Sequence, residues 1–142
     1  MERRAPRQKG FEAAVHTLRA ILAAKRNGCD IVHVHSVGPG LMLPLARVLG
    51  MGTVLTVHAP DYLQSKWGPF ARAYLRAGEA IGVMNADRVI AVSHHQCTQL
   101  AARYRRSVQF APNGAPLATH IPPGAVLQGL GVSGTDYVLF VG

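Results

Sequence analysis

The sequence predicts an α/β chain: an open, Rossmann-like parallel sheet with flanking helices. Three observations carry that expectation. Short β-branched, apolar runs at Ile31–His35, Thr53–Val57 and Val89–Val92 alternate with longer stretches of helical apolar spacing. The separations suit parallel strands joined by right-handed helical crossovers. The runs read as continuously apolar, as in a sheet covered on both faces.

The elements follow in order. Phe11, Val15, Leu18, Ile21 and Leu22 recur on one helical face, and Asn27-Gly28 ends that helix. Asp30 leads into the strand Ile31–His35, and Ser36-Val37-Gly38-Pro39-Gly40 forms a turn. Leu41 to Leu49 reads as a second helix, closed by Gly50, and Thr53–Val57 as the next strand. Residues 67–84 read as a third helix with Trp67, Phe70, Ala71, Tyr74, Leu75 and Ile81 on one face. Asp87-Arg88 opens the strand Val89–Val92, a helix runs from His94 to Tyr104, and Val108–Phe110 is a short strand closed by Pro112-Asn113-Gly114. Ala115 to Gly134 is rich in Pro and Gly, with a short helical turn at Ala125–Leu130, and Tyr137–Val141 is a further apolar strand. The expected organisation is a basic tail over 1–10, a body over 11–114, a linker over 115–136 and an added strand over 137–142.

Totals bound the function. The chain has 142 residues, enough for one compact domain but not comfortably for two. Hydrophobic residues make up 49%, so a real core is expected and global disorder is not. The net charge of +8 suits an anionic partner: a nucleotide phosphate or an acidic membrane surface. Part of it is a local run, Arg3, Arg4, Arg7 and Lys9, which reads as a solvated tail. Nucleic acid is not expected as a partner. Aromatics are only 6%, too sparse to interleave with the basic residues, and no docking module is visible. Cys29 and Cys97 have no metal-ligand spacing and read as reduced thiols of a cytosolic protein. No apolar segment reaches the ~18 residues a membrane span needs, and none follows the basic start as in a signal peptide.

In such sheets, ligands sit beyond the carboxyl ends of the strands. Three turns lie there: His35-Ser36-Val37-Gly38, His58-Ala59-Pro60-Asp61 and Ser93-His94-His95. His33-x-His35 puts two imidazoles on one side of a strand. A metal would need further ligands; none is spaced nearby in sequence, and only His58, His94 and His95 could contribute in space, so each histidine reads as satisfied or site-lining. Ser36–Gly40 lets backbone amides approach an anion, yet it fits neither familiar phosphate-loop pattern. Lys66, Arg72 and Arg76 border the third helix. They read as a solvated face in which Arg76 pairs with Glu79 at i, i+3, the alternative being a surface for acidic lipid or a charged acceptor.

Four segments together, "CDIVHVHSVGPG", "VLTVHAPDYLQSKWGPFARAYLRAGE", "ADRVIAVSHH" and "FAPNG", resemble the amino-terminal, acceptor-side domain of GT-B glycosyltransferases of family 4. The closing "YVLFVG" is similar to the first strand of that family's second, donor-binding domain. "KWG" and "RAYLRAGE" look most like the bacterial branch that builds surface polysaccharides. The resemblance implies a retaining transfer of a sugar, rhamnosyl or mannosyl among others, from a nucleotide-diphosphate donor to a glycan or lipid-linked acceptor, with no metal and no other cofactor. It implies a cytoplasmic enzyme, peripheral at the inner face of the plasma membrane. His58 matches the histidine that lies near the transferred sugar. A strand end is rigid, so it can hold an imidazole against a sugar hydroxyl or a developing charge. Ser36, Gly38 and Gly40 match the loop that faces the acceptor, and the loop Ala59–Ser65, with Asp61, would form part of the acceptor wall. Lys66 matches a lysine that faces an anionic group, and Arg76 lies close to a basic acceptor-binding position.

The sequence departs from the family at both ends. The strand, glycine-rich turn and helix with which the family normally opens have no counterpart before Phe11. The donor-binding Arg, Lys and glutamates have none after Gly142. The chain therefore reads as a fragment, inactive by itself. A non-catalytic membrane-docking or binding module on the same fold is the main rival. A small nucleotide-binding protein ranks below both, since G-x-G-x-x-G is absent.

Overall fold

The computed structural model describes residues 9–115, 117, 129–132 and 138; the side chains of residues 9–13 and of Asp61 are outside that description. The tail over 1–8, most of the linker and all of Tyr137–Val141 except Val138 therefore lie outside the described residues.

Among the described residues, four parallel strands form one sheet in sequence order: β1 (Ile31–His35), β2 (Gly52–Val57), β3 (Arg88–Ala91) and β4 (Gln109–Phe110). Helix α1 (Lys9–Arg26) precedes β1. A 3-10 turn (Pro39–Met42) and α2 (Leu43–Val48) connect β1 to β2, α3 (Pro69–Asn85) connects β2 to β3, and α4 (His94–Tyr104) connects β3 to β4. The expected α/β class and parallel pairing hold. What was read as one helix over Leu41–Leu49 divides at Leu43, because Pro39 and Gly40 favour a tighter first turn. Helix α4 begins where Ser93 caps it, the Ser93 hydroxyl accepting from the Gln96 amide at 3.2 Å.

Register fixes which side chains share a face. Val34 pairs with Leu55 and Leu55 with Val89, while His35 pairs with Thr56 and Thr56 with Ile90. Val34, Leu55, Val57, Val89 and Ala91 all lie in the core with Leu43, Leu75, Val83 and Leu100 of the helices. On the other face Ile31 is 64% exposed, His33, His35 and Arg88 are exposed, and Val54 and Ile90 are half-buried. Cover on both faces is thus corrected: the described helices fill one face and leave the other largely open. The strand IVHVH alternates rather than running apolar throughout, which is the pattern of a half-covered strand.

Helix α3 packs tightly against the turn after β1 through its small residues. A Cβ on Gly78 would collide with the Val37 carbonyl, and one on Gly82 would come within 3.1 Å of Gly40 Cα. The buried stripe of α3 is Leu75, Gly78, Glu79, Gly82 and Val83. Phe70, expected on the same face as Leu75, is instead 91% exposed. It sits in the first turn of the helix, after Gly68 and Pro69, and faces away from the sheet.

Glu79 is 2% exposed and does not pair with Arg76. Its Oε1 accepts from Arg103 Nη1 at 2.9 Å, the Tyr104 hydroxyl at 2.8 Å and the Tyr62 hydroxyl at 3.3 Å. Burial, then the hydrogen bond to Glu79, pushes the Tyr104 phenol up to about 12. One carboxylate oxygen thereby ties the loop after β2 to α3 and α4. A second polar cluster closes the start of the sheet. Asp87 Oδ2 accepts from the Thr53 amide at 2.8 Å and its hydroxyl at 2.9 Å, and these bonds hold the Asp87 pKa below its ordinary 3.8.

Candidate functional site

The carboxyl ends of β1 and β2 bring three histidines together on the open face. His33 and His35 project to the same side of β1 because alternate residues do, and their ring centroids are 4.3 Å apart. Thr56, opposite His35 in register, shares that face, and its Oγ1 lies 2.8 Å from His33 Nε2. His58, two residues further along, places Nε2 3.0 Å from His35 Nδ1, with the ring centroids 5.3 Å apart and the ring planes inclined by 27°. Burial, and then the neighbouring His35 and His58, pull the His33 pKa below its ordinary 6.5. His58 itself is half-buried, at the strand rim and not in the core.

Ser36 is the next residue of the rim. Its φ of 73° lies in the left-handed region that a residue with a Cβ rarely enters. The conformation is held because the Ser36 amide donates to the Thr56 carbonyl at 2.9 Å, one step beyond the end of β1. Strain stored at a strand end is a recurrent property of functional sites.

The other expected site residues divide. Gly38 and Gly40 are buried against α3: the Gly38 carbonyl accepts from the Tyr74 hydroxyl at 3.3 Å, and a Cβ on Gly40 would meet the Gly78 carbonyl at 2.8 Å. The Gly40 and Leu41 amides donate within the turn, to Val37 and Gly38. They are therefore spent on the turn and on packing. Asp61 opens a 3-10 turn, Asp61–Leu63. Lys66 is exposed, its Nζ 5.2 Å from the centroid of Trp67, which packs onto the core. The Arg76 guanidinium lies 5.4 Å from the ring of Tyr62 and borders a groove of about 500 Å³ between the loop after β2, α3 and α4. Among the described residues no hydrogen bond joins Lys66 or Arg76 to His58.

Sequence reasoning named His58 and put His33 and His35 on one side of a strand, but did not give the His35–His58 bond. His35, His33 and Thr56 complete the cluster, and the signal was the repeated period-two pattern H-V-H on β1 and T-V-H on β2. Only the strand register shows that the two patterns lie side by side. Among the described residues, no set of three or more His, Cys, Asp or Glu side chains is grouped to hold a metal ion. No described helix is long and apolar enough to cross a membrane.

What this arrangement offers chemically is a hydrogen-bonded imidazole at the mouth of a parallel sheet, beside a strained turn and a loop that carries a lysine. A family model described as Glycosyltransferase Family 4 covers residues 3–119, most of the chain. No curated protein matches it.

Proposed function

Because this chain belongs to glycosyltransferase family 4, we propose that it forms the acceptor side of a retaining sugar transfer from a nucleotide-diphosphate donor to a glycan or lipid-linked acceptor. One observation carries the reading: His58 stands half-buried at the carboxyl rim of β2, its Nε2 engaged by His35. An imidazole so held can meet a sugar hydroxyl, or the charge that develops as the glycosidic bond breaks, without first paying to order itself. The loop after His58 would flank the acceptor. Arg76, beside the groove lined by Tyr62, would meet an anionic group on it. Bacterial surface polysaccharide is the product class that the KWG and RAYLRAGE segments favour, and a cytoplasmic site of action fits a nucleotide-sugar donor.

Binding of a glycan or lipid-linked sugar to the wild-type chain and to His58→Ala, read by calorimetry, tests this. Weakening of about tenfold or more, roughly one lost charge-assisted hydrogen bond, is expected; equal affinity in the two proteins would remove His58 from the site. Turnover by the 142 residues alone is not expected, since the donor-binding residues of the family have no counterpart in this sequence. Measurable turnover with a nucleotide-sugar would overturn that part.

A second reading concerns where the reaction occurs. Phe70 and Leu63 stand exposed on the same loop and helix start as Lys66, Arg72 and Arg76. Exposed apolar side chains close in sequence to cations favour an anionic bilayer. Sedimentation with vesicles containing acidic phospholipid should be lost in Phe70→Ser and in high salt. Binding indifferent to both would exclude this surface.

A further inference from the structure

We propose that His35 is the positioning residue of the site, holding His58 in one tautomer so that Nδ1 is the nitrogen offered to substrate. The proposal rests on the reading of His58 as the site histidine, and deepens it.

Geometry supplies the first step. His58 Nε2 lies 3.0 Å from His35 Nδ1, so that nitrogen is occupied and only Nδ1 remains free for a ligand. Two neutral imidazoles can share such a bond in only one sense at a time, one ring donating and the other accepting. Tautomer preference supplies the second step. The Nε2–H form is intrinsically favoured for a neutral imidazole, and it satisfies both rings together. His58 then donates through Nε2–H, His35 accepts at Nδ1, and neither ring leaves its preferred form. His58 Nδ1 consequently carries a lone pair, suited to accept from a sugar hydroxyl. When His58 takes up a proton there, its Nε2–H bond to His35 becomes charge-assisted and strengthens.

Packing supplies the third step. His35 is itself restrained. Its ring lies against His33, whose Nε2 is 2.8 Å from the hydroxyl of the buried Thr56. The Ser36 amide, bonded to the Thr56 carbonyl, pins the backbone immediately after His35. The chain Thr56–His33–His35–His58 therefore runs from the buried middle of the sheet to its rim, and each member orients the next. This is the logic by which a second residue fixes the working nitrogen of a histidine.

The test is ¹⁵N NMR of the histidine rings of the 142-residue chain without ligand, in wild type, His35→Ala and His35→Asn. In wild type, His58 should show a protonated Nε2 and a bare Nδ1, with Nε2–H coupled across the bond to His35 Nδ1. His35→Ala should lose the coupling and give a His58 ring averaged over both tautomers. His35→Asn, whose Oδ1 stands near the place of Nδ1, should restore the single form. The Ser36 amide, read in the same samples, should stay protected if the strand end is intact. A His58 ring protonated at Nδ1 in wild type, or unchanged in His35→Ala, would overturn the proposal. Failure of the functional reading shows elsewhere: a correctly coupled pair together with ligand affinity indifferent to His58→Ala would leave the tautomer lock standing and remove its purpose.

Discussion

The two faces of the sheet are made by the same strands and do opposite work. On the covered face Val34, Leu55, Val57 and Val89 are packed among helices, and α3 approaches the turn after β1 so closely that a Cβ at Gly78 would collide with the Val37 carbonyl. On the open face of the same strands stand His33, His35 and, beyond the end of β2, His58, joined to each other and to Thr56 by ring contacts and hydrogen bonds. One face spends its side chains on removing apolar surface from water. The other leaves polar rings where a ligand can reach them. Alternation within five residues, I-V-H-V-H, lets a single strand serve both purposes.

If that division is right, substitutions on the covered face should cost stability and those on the open face should cost binding. Gly78→Ala gives the largest expected effect. The added methyl collides with the Val37 carbonyl, a backbone group that cannot step aside, and a loss of about 3 kcal/mol is expected in urea unfolding. His58→Ala, in contrast, should lower the unfolding free energy by no more than about 0.5 kcal/mol while weakening ligand. A loss of stability equal to that of Gly78→Ala would break the comparison.

Acid titration gives a smaller effect that sharpens it. The folded pKa of His33 lies below its ordinary 6.5. The unfolded ring therefore takes up a proton that the folded ring refuses. The His33 contribution is fully present above 6.5 and is lost as pH falls below it toward the folded value. Asp87, held below 3.8 mainly by its bonds from Thr53, gives a second descent. Its stabilisation is present above 3.8 and is lost as pH falls through the depressed folded value. Two separate steps in stability against pH are expected. His33→Asn should remove the upper one alone, and Asp87→Asn the lower one alone. A single step, or one His33→Asn leaves in place, would contradict the assignment.

Much of the fold could be read from residues alone, because strand and helix periods are local. The Ser93 cap, the stop at Asn27-Gly28 and the extent His94–Tyr104 are signals carried within a few positions. Two errors came from reading composition where period mattered. IVHVH was taken as an apolar run although its histidines alternate with its valines, and Phe70 was assigned to the face of Leu75 although five positions apart on a helix are on opposite sides. The site was legible at His58 and Ser36 through resemblance and at His33 and His35 as two rings on one side of a strand. The bond from His58 to His35 spans 23 residues and depends on the β1–β2 register, which no local pattern states. Glu79 was missed for the same reason: its donors come from Tyr62, Arg103 and Tyr104, on elements either side of α3.

The shared oxygen of Glu79 also has a meaning for variation. It grips the segment between β2 and α3 by one residue, Tyr62, with Arg103 supporting the same hydroxyl at 2.9 Å. Leu63 and Ser65, exposed neighbours downstream, make no bond to that oxygen. A library that diversifies this loop should randomise Leu63 and Ser65 and hold Tyr62, Glu79 and Arg103 constant, so that diversity accumulates beside a kept anchor.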